Sequence, residues 1–450
     1  MSRVAIVTLG CPKNAIDSEG LGGMLDEAGH SVTEDPQDAD VVLVNTCGFI
    51  DPARRETVQE VLDLAELKQD GLKGLVLTGC LVARAADELS DALPEVDALV
   101  DFAAYPRIAE IVGAAAAGDL RQRIFGDPGT KFDPAYWDAT LAGGPRIRFG
   151  RAPWAYLKIA EGCDRGCTFC AIPLMRGKFR SRSIETIVTE ARHLVAGGAT
   201  ELSLVSQDSV MWGRDTGEGT LLDLLRALES VEGLRRLRLM YLHPQGVTDE
   251  LIDVVAGSDV MASYFDLSLQ HVSPRVLRAM GRWGSAERFI RMIRRIRAAD
   301  PRAAIRSTFI LGFPGEEDED ADAVVEFAGA ADLDWVGTFT YSPETGTRSF
   351  DLPDRVPDAV ARERASRVEA VAEATMEDRA RSFVGDRLDV LAERLDLGTG
   401  LWTGRSHREA PEVDGEITFD AGGGVRVGDY VPVRVAAAAG ADLTGVEDRA

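Results

Sequence analysis

The residues best suited to chemistry in this sequence are six cysteines in two groups of three. Cys163, Cys167 and Cys170 stand in AEGCDRGCTFCAIP, a Cys-x3-Cys-x2-Cys spacing with Phe169 just before the third thiol. Three thiolates so spaced can wrap one face of an iron–sulfur cube, whose corners are held by cysteine. The fourth iron, left without a protein ligand, is then free to bind a substrate or cofactor. Zinc is the competing reading, but a structural zinc site usually takes four protein ligands. No further cysteine or histidine stands at a finger-like distance, and the nearest, His193, falls mid-helix as a packing or surface residue.

Cys11, Cys47 and Cys80 are far apart in sequence, and only the elements between them can bring them together. VAIVTLG (4–10), DADVVLVNTCGF (38–49) and GLVLTGCL (74–81) read as buried strands. DSEGLGGMLDEAGH (17–30) and ETVQEVLDLAELK (56–68) read as the intervening helices. Such alternation indicates a parallel α/β sheet, with ligands expected at the carboxyl ends of its strands. Each of the three cysteines sits just past a strand, so three thiols should meet at one edge. Gly20, Gly22 and Gly23 spell no dinucleotide fingerprint and read as helix packing. Six cysteines in 450 residues fall far short of disulfide density, and a reduced, cytoplasmic setting is expected.

The boundaries read as an N-terminal α/β domain over 1–120, a Gly-, Pro- and Asp-rich linker over 121–148, a central domain over 149–380, and a small C-terminal β barrel over 381–448. In the central part AYLKIA, TELSLVSQD, RRLRLMYL, YFDLSLQ, AIRSTFILGF and WVGTFTYS are strand-like, each followed by a helical stretch. Six repeats suit a partial (β/α)6 barrel with its chemistry at the C-terminal strand ends.

Fifty Lys and Arg against 74 Asp and Glu give a net charge of −24, which disfavours a broad grip on nucleic acid. Residues 1–140 carry 11 basic and 25 acidic groups, and 381–450 carry 8 and 13. The acidic runs EEDEDAD (316–322) and EVDALVD (95–101) read as solvated helix starts or faces. Hydrophobic residues make up 45%, which excludes a disordered or fibrous chain. No apolar run is long enough to span a membrane, and MSRVAIVTLGCPKN turns polar too early for a secretory leader.

Cys-x3-Cys-x2-Cys at the head of a six-repeat β/α run resembles the radical S-adenosylmethionine superfamily. There the open iron holds S-adenosylmethionine, and one electron cleaves it to a 5′-deoxyadenosyl radical that removes a hydrogen atom. Together with the three dispersed cysteines and the final barrel, which is TRAM-like, the chain resembles the methylthiotransferases. That resemblance implies two [4Fe-4S] clusters, the radical one on Cys163, Cys167 and Cys170 and a sulfur-delivering one on Cys11, Cys47 and Cys80. It implies no catalytic residues beyond these ligands, and an electron donor such as flavodoxin or ferredoxin. One branch of the family modifies adenosine in tRNA; the other modifies the β-carbon of an aspartate in small-subunit ribosomal protein twelve. Gly10-Cys11-Pro12-Lys13-Asn14 with Asp17-Ser18-Glu19, Asn45-Thr46-Cys47-Gly48-Phe49-Ile50, RGKFRSR (176–182), YLHPQGVTDELI (241–252), LQHVS (269–273) and GRSHREAPEVDGEI (404–417) match the second branch. Ser268, where proline is expected, and Trp212, in a normally Tyr-bearing loop, depart from it.

Candidate cofactor contacts are Phe169, Gln207, Gly312 in STFILGFPGE, and Arg182 in RGKFRSR, whose basic side chains suit a carboxylate. Asp208, beside Gln207, is a candidate for the methionine or ribose end of the cofactor, His243 and His271 follow strands and are candidates for the barrel mouth, and Trp154 and Tyr156 read as core. An iron–sulfur electron carrier would have no use for two open irons. The acidic surface then favours a basic ribosomal protein over tRNA as substrate, and nothing suggests more than a monomer.

Overall fold

The computed structural model describes residues 1–126, 146–150 and 152–449. The N-terminal elements are β1 (Arg3–Thr8), α1 (Pro12–Glu27), β2 (Ser31–Thr33), β3 (Val41–Thr46), α2 (Asp51–Ala65), β4 (Gly74–Gly79), α3 (Cys80–Ala92), β5 (Ala98–Val100), α4 (Ile108–Ala117) and β6 (Ile124–Phe125). They form a parallel sheet in the order β2-β1-β3-β4-β5-β6. β3 and β4 are apolar without alternation and wholly buried, because helices cover both faces. Leu43, Val41 and Val76 pack toward α1 and α4, while Val42, Val44, Leu75 and Leu77 pack toward α2 and α3.

Two readings change here. The run EVDALVD supplies buried strand β5 rather than a solvated face, since a three-residue strand is too short to show a period. The segment read as linker begins with β6, the sixth strand of the sheet, and its stretch 127–145 lies outside the described residues.

The central domain holds β7 (Trp154–Lys158), β8 (Ala160–Glu161), α5 (Ile172–Arg176), β9 (Arg180–Ser181), α6 (Ile184–Ala196), β10 (Glu201–Val205), α7 (Leu221–Glu229), β11 (Arg236–Leu239) and α8 (Asp249–Gly257). It continues with β12 (Tyr264–Gln270), α9 (Pro274–Ala279), α10 (Ala286–Ala299), β13 (Ala304–Leu311), α11 (Asp318–Ala330), β14 (Trp335–Thr340) and α12 (Asp358–Arg381). β7-β10-β11 and β12-β13-β14 are parallel triplets, joined by the bridges Leu237–Met261 and Leu242–Leu267. The six strands thus make an incomplete barrel. Leu202, Leu204, Leu237, Leu239, Phe265 and Leu267 turn outward onto the helices. The alternate residues turn inward and include the charged Lys158, Glu201, Arg238, Asp266 and Arg306.

β15 (Arg387–Leu395), β16 (Trp402–Arg405), β17 (Ile417–Asp420), β18 (Tyr430–Ala439) and β19 (Asp442–Glu447) close a small barrel. Four of its pairings are antiparallel, and β17 runs parallel to β19. The connection from β16 to β17 plugs the floor of the central barrel, at the N-terminal strand ends. Arg405 pairs with Glu201 at 3.0 Å, Arg238 donates to the His407 carbonyl at 2.7 Å, and the Trp335 indole donates to the Arg408 carbonyl at 2.8 Å. Tyr156 and Tyr264 donate to Glu412 at 2.9 Å and Asp414 at 2.6 Å. With the floor sealed, the C-terminal strand ends are left as the mouth.

Candidate active site

Cys11 caps the N-terminus of α1, Cys47 follows β3, and Cys80 is the first residue of α3. Two of the thiols therefore stand at helix starts, where the dipole favours negative charge. Two glycines permit the close approach of the loops. Gly10 has φ +98°, and a Cβ there would lie 2.8 Å from Cys47 Cβ and 2.9 Å from its Sγ. Gly79 has φ +95°, and a Cβ would meet the Thr46 backbone nitrogen at 2.7 Å. Asn14 ties the strand ends together, its Nδ2 donating to the carbonyls of Leu9 at 2.8 Å and Thr46 at 3.1 Å. Burial pushes the Cys80 thiol up to about 12 and raises that of Cys47, so a metal held there would have to displace their protons.

The second triplet lies on the loop between β8 and α5. That loop is pinned by Thr168, which donates from its backbone to Met280 O at 2.9 Å and from Oγ1 to Ala279 O at 2.8 Å. The Arg165 N–H points at Cys163 Sγ at 3.4 Å, and Arg282 Nη1 at Cys167 Sγ at 3.5 Å. Burial pushes Cys163 up to about 11 and Cys170 up to about 12. Among the described residues no three His, Cys, Asp or Glu side chains are placed to share a single metal ion. The donor sets instead suit iron–sulfur clusters: three thiols each, with N–H groups aimed at sulfur in both.

A buried charge network runs from Cys80 of the first triplet to Glu161, two residues before Cys163 of the second. Arg176, 5% exposed, donates from Nε to Cys80 Sγ at 3.2 Å, from Nη2 to Asn14 Oδ1 at 2.6 Å, and pairs with Asp17 at 2.8 Å and Glu161 at 2.9 Å. Lys158 pairs with Asp17 and, at 2.8 Å, with Glu161. Burial opposes ionisation of Glu161, but Arg176 and Lys158 hold its carboxyl down at about 2. On the same side Arg54 and Arg84 of the N-terminal domain both reach Glu344, beyond β14. The carboxyl edge of the N-terminal sheet thus sits over the barrel mouth.

Of the expected cofactor contacts, Phe169 packs with Val276, Met280 and Phe313 beside the cysteine loop. Gln207 donates to Glu161 Oε1 at 2.6 Å, while its own Oε1 is buried with no hydrogen-bond partner among the described residues. The Gly312 N–H donates to Glu316 Oε2 at 2.9 Å, and Ala361 fills the space where a side chain would go. Arg182 is 3% exposed and bonds the Lys158 carbonyl at 2.7 Å and Glu190 at 2.6 Å. The basic residue of RGKFRSR that reaches a thiol is Arg176, at the end of α5.

Asp208 pairs with Arg165 at 2.6 Å. His243 is held neutral, its pKa driven down to about 2 by burial and by Arg282 and Arg165. His271 is fully buried 3.5 Å from Glu316. EEDEDAD is not wholly solvated, because Glu316 holds Gly312 and Arg364 while Asp320 holds Ser273 at 2.6 Å. Sequence reasoning missed Lys158 and Glu161 as site residues, although charges inside the strand-like AYLKIAEG were a usable signal.

Residues 3–101 match the Uncharacterized protein family UPF0004, 157–328 the Radical SAM superfamily, and 384–446 the TRAM domain. The fold is similar to that of the radical S-adenosylmethionine methyltransferase TsrM from Kitasatospora setae. In its form with cobalamin and a [4Fe-4S] cluster bound, the TM-score is 0.57 at 18% identity, over 78% of this chain and 77% of that one. The ribosomal protein uS12 methylthiotransferase RimO of Geobacter sulfurreducens is 40% identical over 98% of both chains. That of Symbiobacterium thermophilum is 42% identical over 98% of this chain and 90% of its own, and that of an Anaeromyxobacter species (strain Fw109-5) 43% over 99% and 93%. On identities of this size over almost its whole length, the chain belongs to the RimO family of radical S-adenosylmethionine methylthiotransferases.

Proposed function

We propose that this chain methylthiolates the β-carbon of an aspartate in ribosomal protein uS12. The observation that carries this reading is that Arg176, six residues past Cys170, reaches Cys80 Sγ, which brings the loops of the two three-thiol sets to one mouth. Each set offers three thiols, so a [4Fe-4S] cluster held there would keep one iron without a cysteine ligand, free for a substrate or cofactor. When bound, S-adenosylmethionine and the cluster on Cys163, Cys167 and Cys170 supply hydrogen-atom abstraction, and a second [4Fe-4S] cluster on Cys11, Cys47 and Cys80 supplies the sulfur.

The chain's own residues hold and shield that chemistry. Thr168, Arg165 and Arg282 fix the radical triplet, and the β16–β17 plug closes the barrel floor to water. Phe169, Gln207 and Gly312 form the cofactor side of the mouth, where the unpaired Gln207 carbonyl oxygen suits an N–H or O–H donor. The domains run as an N-terminal unit over 1–120 extended by β6, a linker that ends at 148, a central domain over 149–380 and a barrel over 381–448. No helix among the described residues is long and apolar enough to cross a membrane. The reading places a monomeric enzyme in the cytoplasm, served by a flavodoxin- or ferredoxin-type donor.

The test separates the two triplets. With reconstituted enzyme, S-adenosylmethionine, reductant, sulfide and uS12, Cys163→Ala abolishes 5′-deoxyadenosine formation. Cys47→Ala still forms deoxyadenosine but attaches no sulfur. Sulfur insertion by both variants would refute the two-cluster arrangement.

A further inference from the structure

Lys13 stands two residues past Cys11, in the first turn of α1, and is 6% exposed. Among the described residues its ammonium has neither an ion-pair nor a hydrogen-bond partner. Its Nζ lies instead 2.9 Å from the centroid of the Tyr241 ring. A ring face attracts a cation but supplies no counter-ion. The charged groups facing Lys13 are Cys11, Asp266, Arg176 and Glu161. Both carboxylates among them are committed elsewhere. Asp266 accepts the Tyr241 N–H at 2.9 Å and pairs with Arg306 at 3.3 Å. Glu161 is taken by Lys158, Arg176 and Gln207. A desolvated ammonium without an anion is costly, and such a group in a cleft marks a place for one.

The position of this cation is specific. Tyr241 follows β11 with φ 61°, a left-handed conformation that a bulky residue keeps only when its surroundings impose it. Its carbonyl accepts the Ser209 N–H at 3.1 Å, and neighbouring Asp208 holds Arg165, whose N–H meets Cys163. Lys13 therefore reaches from the Cys11 loop to the wall that supports the other triplet.

We propose that Lys13 binds the side-chain carboxylate of the aspartate to be modified and so holds its β-carbon between the two triplets. This rests on the uS12 reading above. Tyr241 holds the ammonium on one side, leaving N–H donors for the carboxylate on the other. An asparagine in the same place offers no charge to match. Were Lys13 only a counter-charge to a cluster on Cys11, its loss would affect charged and neutral targets alike.

The experiment measures Kd of the reconstituted full-length enzyme for uS12 and for uS12 with the target aspartate changed to asparagine. It compares wild type, Lys13→Met and Lys13→Arg, with iron content measured on each. The wild type binds the aspartate form roughly ten- to hundredfold more tightly, the range of a charge-assisted hydrogen bond. Lys13→Met brings that ratio close to one by weakening the aspartate form alone, and Lys13→Arg keeps most of it. A Lys13→Met enzyme with the wild-type ratio, or one weakened equally for both forms, overturns the proposal. A wild type that binds neither form overturns the substrate reading first, and the role of Lys13 falls with it.

Discussion

Arg176 shows how one side chain ties two domains to one reaction centre. Its guanidinium meets a thiol, an amide oxygen and two carboxylates, all buried. Removing one partner of such a cluster strands charge in a dry interior, at about 3–5 kcal/mol. Arg176→Gln should therefore lower unfolding stability by several kcal/mol in denaturant titrations. Exposed Arg226, paired with Asp223 at 3.4 Å on the surface, should cost under about 1 kcal/mol when replaced. Equal losses would mean that the Arg176 network is not the joint between the domains. Which residue of RGKFRSR faces a thiol was not legible in the sequence: the segment holds several cations, and only the turn ending α5 decides it.

At the scale of elements, the cysteines were legible because strands end where apolar runs end, and each thiol follows such an end. The geometry that closes the triplet is in the glycines. Gly79→Ala should force β4 away from β3 and lower the iron bound at Cys11, Cys47 and Cys80, while the radical cluster loads normally. Iron analysis of this variant in a Cys163→Ala background reads that site alone, and undiminished iron would contradict the packing account.

The floor plug was not legible, since GRSHREAPEVDGEI has the charges of a solvated loop and only the barrel lumen gives them partners. Within the plug, burial raises the Asp414 carboxyl to about 6, against the opposing pull of Arg306. A folded pKa above the unfolded value means the native state holds this proton more tightly. Its contribution, on the order of 3 kcal/mol, is full below about pH 4 and is lost as pH rises through about 6. The urea midpoint of wild type relative to Asp414→Asn should fall across that window; a flat difference would show that Asp414 does not titrate there.

For the whole molecule, −24 charges are the feature a partner meets first. A basic ribosomal protein is steered toward such a surface, and steering is screened within about 8–10 Å at physiological salt. Association with uS12 should slow by about tenfold or more as ionic strength rises from low to physiological values and beyond, and stopped-flow binding would show it. A rate indifferent to salt would remove charge as a reason for the choice of substrate. The most direct measurement of the central claim offers reconstituted enzyme both uS12 and tRNA, with S-adenosylmethionine, sulfide and reductant. Mass spectrometry should find a methylthio group in place of hydrogen on an aspartate of uS12 and none on tRNA nucleosides. The reverse pattern, methylthio on adenosine with uS12 unchanged, would contradict it.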